Sequence, residues 1–201
     1  MTNAGASAGV ILAAGASRRM GEPKQLLEVG GRPLLEVVVA AACASQLDEV
    51  VVVLGALAEE IKAAVDLGRA RAVVNPDYEH GLSTSLRAGI ASLGTEVSRA
   101  LVILGDQPDV NASLLDRLLD LQEASGLPAA ALSFEGLLHP PMVLAREMWS
   151  GLDALGGDVG LRAVMRAHPE LVAALPAERP GGHPVDIDTP EDFEQLKGEP
   201  D

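Results

Sequence analysis

Arg18, Arg19 and Lys24 put three positive charges within seven residues of a 201-residue chain whose formal net charge is -14. They follow the apolar run Gly9-Val10-Ile11-Leu12-Ala13-Ala14 and a glycine turn at Gly15, with Gly21 among them. Leu12, Ala13, Ala14 and Gly15 leave room for a ligand to lie against the backbone. Gly15 and Gly21 can take backbone angles closed to other residues, so the loop can fold over an anion and offer it N–H groups. The arginines and the lysine supply charge where phosphates would sit. The chemistry to expect is triphosphate binding. Two familiar phosphate loops do not fit. A Walker loop needs Gly-Lys-Ser/Thr four residues on, but Met20 stands there and Gln25 follows Lys24; the dinucleotide pattern Gly-x-Gly-x-x-Gly fails at Ser17. The plainer alternative is a strand–helix turn with solvated arginines, and so dense a cation cluster in so acidic a chain argues against it.

Asp106 follows the apolar run Ala100–Leu104 and Gly105, and precedes Gln107-Pro108. A strand there would hold the carboxylate rigidly at a sheet edge. A hard oxygen beside phosphates suits Mg²⁺, which takes one or two carboxylates plus substrate oxygens; capping of the next turn is the alternative role. Asp186-Ile187-Asp188-Thr189-Pro190-Glu191-Asp192 offers a second carboxylate. Alternate residues of an extended segment face one side, so Asp186 and Asp188 can converge on one ion. Asp188 is the preferred ligand and Asp186 the second choice, with helix capping by Asp188 and Thr189 as the alternative.

Leu12-Ala13-Ala14-Gly15-x-Ser17-x-Arg19-Met20-Gly21-x-x-Lys24-x-Leu26-Leu27, continuing into Gly31-x-Pro33-Leu34-Leu35, resembles the signature of the MobA-like NTP transferase family. Within it the match is to the molybdenum cofactor cytidylyltransferases, and later motifs fall in the family's order along nearly the whole chain. The resemblance implies one Rossmann-like α/β domain, a three-layer sandwich of nucleotide-diphospho-sugar transferase type with a mostly parallel central sheet. It implies transfer of CMP from CTP to the terminal phosphate of molybdenum cofactor (molybdopterin), with release of pyrophosphate. Asp106 is then a metal ligand for Mg²⁺, with Mn²⁺ as the alternative ion, and Arg18, Lys24 and Asp106 form the catalytic set. Leu12, Ala13, Ala14 and Gly15 join Arg18 and Lys24 as nucleotide-binding residues.

Asn75-Pro76-x-x-x-x-Gly81-Leu82-Ser83-Thr84-Ser85-Leu86-Arg87-x-Gly89 resembles the family segment that embraces the nucleoside. Gly81 would serve through its backbone, and Ser83 and Ser85 through hydroxyls at base or ribose. Ala14 stands where guanylyltransferases of the family have glycine, so its methyl favours a smaller pyrimidine, by roughly 1–3 kcal/mol. On the acceptor side the family commonly reads Gly-His-Pro, whereas this chain has Leu138-His139-Pro140-Pro141-Met142. The leucine alters the acceptor pocket, where His139 is a candidate contact, with a structural histidine as the alternative. Gly156-Gly157-Asp158-x-Gly160-x-Arg162 resembles another family stretch and makes Asp158 an acceptor-side candidate. Residues 9–125 would form the nucleotide-binding half and 126–198 the acceptor-binding half, after a flexible segment 1–8. Client molybdoenzymes are the further partners implied. The alternatives are a same-fold transferase using GTP or another phosphorylated acceptor, and a non-catalytic carrier or insertion factor for the cofactor.

The elements that must position these residues are legible as alternating patterns. Strands are expected at residues 9–13, 49–54, 71–74, 100–104, 129–134, 142–145 and 171–175. Helices are expected at 33–45, 58–65, 81–93, from Asn111 or Ser113 to about 124, 147–155, 161–167 and 190–196. Such alternation predicts a parallel sheet covered on both faces, with sites at the carboxyl ends of its strands. Hydrophobic residues make up 48% and aromatics only 2%, which suits aliphatic helices layered on a sheet and argues against disorder. Fifteen basic against twenty-nine acidic residues argue against nucleic-acid and anionic-membrane partners, so phosphate must meet a local cationic pocket. The single Cys43 excludes an intrachain disulfide or a cysteine metal cluster. No stretch reads as a signal peptide or membrane span, so the expected location is cytoplasmic.

Overall fold

Strand β1 (Ala6–Ala13) shows how the sequence builds the layers: Val10 and Leu12 enter one apolar cluster, Ile11 and Ala13 the other. Strand β4 (Glu49–Leu54) divides the same way, with Val51 and Val53 on one face and Val50, Val52 and Leu54 on the other. Side chains alternate across a strand, so a continuous valine run buries both faces and needs helices above and below. The computed structural model describes residues 5–17, 20–154, 165, 168–177, 186–187 and 189–198. Between β1 and β4 lie a small antiparallel ribbon, β2 (Glu28–Val29) with β3 (Arg32–Pro33), and helix α1 (Leu34–Ala44). Then follow α2 (Ala58–Ala64), β5 (Arg71–Val74), α3 (Leu82–Ala91), β6 (Val97–Leu104), α4 (Ala112–Ser125), β7 (Ala129–Phe134), β8 (Leu137–Ala145), β9 (Val172–Pro176) and α5 (Pro190–Gly198).

The main sheet has seven strands in the order β5-β4-β1-β6-β8-β7-β9. All its pairings are parallel except those of β8, which runs antiparallel to both β6 and β7. Helices α1, α2, α4 and α5 cover the face that carries Ile11; α3 and the 3-10 segment Arg146–Ala154 cover the face that carries Val10. Helix α3 comes unusually near the strands. A Cβ at Gly89 would lie 2.4 Å from Val10 Cγ1 and 2.9 Å from Val53 Cγ2, so any side chain there would push the helix off the sheet.

Local signals end several elements as expected. Asn111 Oδ1 accepts from Leu114 N at 3.0 Å to cap α4, and Gly126 closes that helix at φ 66. Thr189 Oγ1 accepts from Asp192 N while Asp192 Oδ2 accepts from Thr189 N, a reciprocal cap on α5. Three expectations change. The strand foreseen at 142–145 is β8, which begins at Leu137 and contains two prolines. Pro140 and Pro141 fall in a register shift, between the pairs Ala131↔Met142 and Leu132↔His139, where no ladder N–H is required of them. The helix foreseen at 147–155 is the 3-10 segment Arg146–Ala154. The strand foreseen at 171–175 is Val172–Pro176, after a 3-10 turn, Pro169–Leu171. Of the helix expected at 161–167, all but Met165 lies outside the described residues.

At the amino end of β1, Ser7 N and Oγ donate to Asp48 Oδ2 at 2.8 and 3.0 Å. The backbone bond from Ser7, aided by its hydroxyl and by Arg99 and Arg69, holds the Asp48 carboxyl below its ordinary 3.8 against the opposing effect of burial. A group depressed in the fold stabilises it above its unfolded pKa and ceases to do so as pH falls through the folded value. Asp48→Asn should therefore lower the thermal midpoint at neutral pH, and the gap should close as the pH drops below 3.8. Asp48 is exposed, so solvent screening keeps the effect under about 1 kcal/mol, or ~2–4 °C. Thermal unfolding of both proteins across the acid range checks this.

Candidate active site

The parallel register brings three turns level at one sheet edge. Leu12 pairs Leu104 and Ala13 pairs Leu54, so Ala14, Gly105 and Gly55 follow together at the carboxyl ends of β1, β6 and β4. A cleft of about 380 Å³ opens above them. One wall is the loop after β1, from Ala14 to Ser17, with Leu12 and Ala13 at its base. The opposite wall is Tyr78, Glu79, Gly81, Leu82 and Ser85. Lys24, Gln25, Leu104, Gly105 and Asp106 complete the lining. The volume is of the order that small-molecule sites use.

Lys24 and Asp106, 82 positions apart, meet as an ion pair between Nζ and Oδ2. Their side chains are only 18% and 14% exposed, so the pair sits in a sheltered place where charge interactions exceed those in water. The ammonium occupies the position of a cation on a hard carboxylate oxygen, which is the chemistry a divalent metal would use. Among the described residues no cluster of three or more His, Cys, Asp or Glu side chains could hold a metal alone. That donor set fits an ion such as Mg²⁺, which draws its remaining ligands from substrate phosphates and water.

The carboxy-terminal motif arrives beside Asp106. Ile187 N donates to the Asp106 backbone oxygen at 3.1 Å, and Gln107 Nε2 donates to Asp186 Oδ1 at 2.7 Å. Ile187 is buried in the core, which anchors the segment. The Asp186 carboxylate is thus held by Gln107, the residue after Asp106, while Asp188 lies outside the described residues, as do Arg18, Arg19 and Asp158.

Of the other expected residues, Leu12, Ala13, Ala14, Gly15, Gly81 and Ser85 line the cleft. Ser83 does not line it: its side chain is 1% exposed and its hydroxyl is buried without a hydrogen-bond partner. Position 83 lies on the same buried helix face as Leu86 and Ile90, three and seven residues on, and so turns toward the interior. His139 stands on β8 opposite Leu132, half-buried, and is not among the described residues lining the cleft.

Four residues have places in the site to which the sequence reading gave no role, although Asn75 stood in the quoted nucleoside-side motif. Gln25 is buried among loop atoms. Asn75 Nδ2 donates to Thr84 Oγ1 and Ser85 Oγ at 2.9 and 3.0 Å, fixing the start of α3. Tyr78, the chain's one tyrosine, packs so tightly on Gly55 that a Cβ there would lie 2.6 Å from the ring and 2.7 Å from Ala14 O. Gln107 orients Asp186. Only a polar residue inside an apolar run, as in Pro23-Lys24-Gln25-Leu26-Leu27, could have signalled the first of them.

Residues 9–172 match the MobA-like NTP transferase domain. The chain belongs to that family. Nicotine blue oxidoreductase of Paenarthrobacter nicotinovorans is 36% identical, over 94% of this chain and 95% of the relative. Purine catabolism protein PucB of Bacillus subtilis is 30% identical, over 94% and 95%. Among solved structures, Rv0371c from Mycobacterium tuberculosis superposes with a TM-score of 0.87 at 28% identity, over 97% of this chain and all of that one. Its complex with manganese gives 0.82 at 27%, over 95% and 97%. The fold is that of the nucleotidyltransferases, with a mostly parallel sheet between helical layers. No helix of the described residues is long and apolar enough to cross a membrane.

Proposed function

We propose that the cleft binds CTP and that the protein joins CMP to the terminal phosphate of molybdenum cofactor, releasing pyrophosphate. The observation that carries the reading is the sheltered Lys24–Asp106 pair at the mouth of the small-residue loop. An acceptor phosphate oxygen attacks the α-phosphorus, a P–O bond forms there, and the bond to the β-bridging oxygen breaks. A phosphate monoester loses its second proton near pH 6, so the nucleophile is ionised at neutral pH and needs no general base. Lys24, with Arg18 and the loop N–H groups, stabilises the departing pyrophosphate. Asp106 would hold a divalent ion, Mg²⁺ or Mn²⁺, with Asp186 or Asp188 as the second carboxylate, and the ion would supply neutralisation of phosphate charge. That a mycobacterial neighbour was solved in complex with manganese supports a divalent ion as the partner.

Ala14, 6% exposed with its carbonyl accepting from Ala56 N at 3.3 Å, supports a cleft narrowed for a pyrimidine. All the described lining residues lie between positions 12 and 106, which supports residues 9–125 as the nucleotide half. The acceptor falls to residues 126–198, with His139 and Asp158 as candidate contacts, and client molybdoenzymes would receive the product. The identity to nicotine blue oxidoreductase favours a second reading, in which the protein is an oxidoreductase and the cleft holds its electron donor. Under that reading the Lys24–Asp106 pair has no chemical step to perform.

One experiment separates the readings: Mg²⁺-dependent pyrophosphate release from CTP, GTP, ATP and UTP with purified molybdenum cofactor, run beside oxidation of NADH and NADPH with nicotine blue. Pyrophosphate from CTP alone is the expected result. Release from GTP overturns the choice of base, and oxidation without pyrophosphate release overturns transfer altogether. Binding of the cofactor with neither reaction makes the protein a carrier.

A further inference from the structure

Gln25 is 3% exposed, and every hydrogen-bonding group of its amide is used within the loop. Nε2 donates to Ala13 O at 3.0 Å and to Gly15 O at 2.8 Å, and Oε1 accepts from Ser17 Oγ at 3.3 Å. Two donors and one acceptor meet two carbonyls and one hydroxyl, so the amide's orientation is determined by its partners. Ser17 Oγ in turn accepts from Lys24 N at 3.0 Å. The two ends of the loop, around Ser17 and Lys24, are stapled together on the side facing Gln25. Ser17 itself takes the left-handed backbone, φ 49, which a non-glycine residue holds only when its surroundings require it.

The consequence follows from peptide planarity. In a trans peptide the C=O of one residue and the N–H of the next lie in one plane and point in opposite directions. With the carbonyls of Ala13 and Gly15 drawn to Gln25, the N–H groups of Ala14 and Ala16 are directed away from it. Both residues line the cleft. A carbonyl turned into the cleft would repel phosphate oxygens, whereas an N–H attracts them.

We infer that Gln25 is the positioning residue that sets the peptide orientation of the loop, so that Ala14 and Ala16 present N–H donors to a triphosphate. It acts through the loop rather than through the reaction. The inference rests on the phosphate-site reading above and assigns that site its internal support. It also explains the residue type: only a primary amide can donate to two carbonyls and accept from a hydroxyl at once. Methionine would fill the volume without any of these bonds, and glutamate would set an anion against both carbonyl oxygens.

The test uses inorganic tripolyphosphate as the probe, with binding followed by calorimetry and by the amide resonances of Ala14 and Ala16. Wild-type protein should bind it with shifts at both amides, and Lys24→Ala should weaken binding. Gln25→Met should weaken it by about 10–100-fold, the scale of a misplaced site, and lose the shifts at Ala14 and Ala16. Gln25→Glu should bind more weakly still. Ser17→Ala removes one contact only and should give a smaller loss, roughly 3–10-fold; it serves if Gln25→Met does not fold. If Lys24→Ala loses the probe while Gln25→Met, or failing that Ser17→Ala, retains it within about twofold, the role of Gln25 is overturned and the phosphate site stands. If wild-type protein does not bind the probe, or Lys24→Ala binds it unchanged, the phosphate site itself falls, and this inference falls with it.

Discussion

Asp106→Asn should lower pyrophosphate release by at least about 10²–10³-fold while the fold persists. The change keeps size and shape but removes the anion, at a residue placed just beyond the end of β6. The loss is one of charge, because an amide holds a divalent ion poorly and cannot form an ion pair with the Lys24 ammonium. Nucleotide affinity without metal should hold or improve, since Lys24 is released from its partner toward the triphosphate. This split between turnover and binding separates a chemical role from a structural one. Steady-state pyrophosphate assays measure the first, and calorimetry with CTP in the absence of metal measures the second. Turnover within tenfold of wild type would remove Asp106 from the chemistry.

Lys24→Met should act on both quantities, raising KM for the nucleotide and lowering kcat, for a combined fall of about 10²–10³-fold in kcat/KM. The lost cation is only part of the cause. Asp106, a sheltered carboxylate at 14% exposure in the intact pair, then faces the triphosphate with its charge less compensated. Asp106→Asn should therefore improve nucleotide binding by more in the Lys24→Met background than in the wild type, a departure from additivity expected of groups in contact. A double-mutant cycle on CTP affinity, with Lys24→Met, Asp106→Asn and the pair, checks this. Strict additivity would mean that the two side chains do not act on each other in solution.

The sequence alone determined what depends on near neighbours. The valine run of β4, the strand that delivers Asp106, and the caps at Asn111, Gly126, Thr189 and Asp192 are all visible in a few consecutive residues. The small-residue loop with its cations could be read as a phosphate site for the same reason. Distant pairings could not be read. The bond from Gln107 to Asp186 spans 79 positions and that from Lys24 to Asp106 spans 82. Such partners are chosen by which strand ends come level, and strand register is a property of the whole sheet. The reversal of β8 between β6 and β7, the inward turn of Ser83 and the removal of His139 from the cleft lining are likewise consequences of packing. Gln25 shows the division most sharply, because its identity was in the sequence but its meaning required the two carbonyls, 10 and 12 positions away, that the fold brings to its amide. Residue type and pattern decide what a side chain can offer, and only the tertiary structure decides which group receives it.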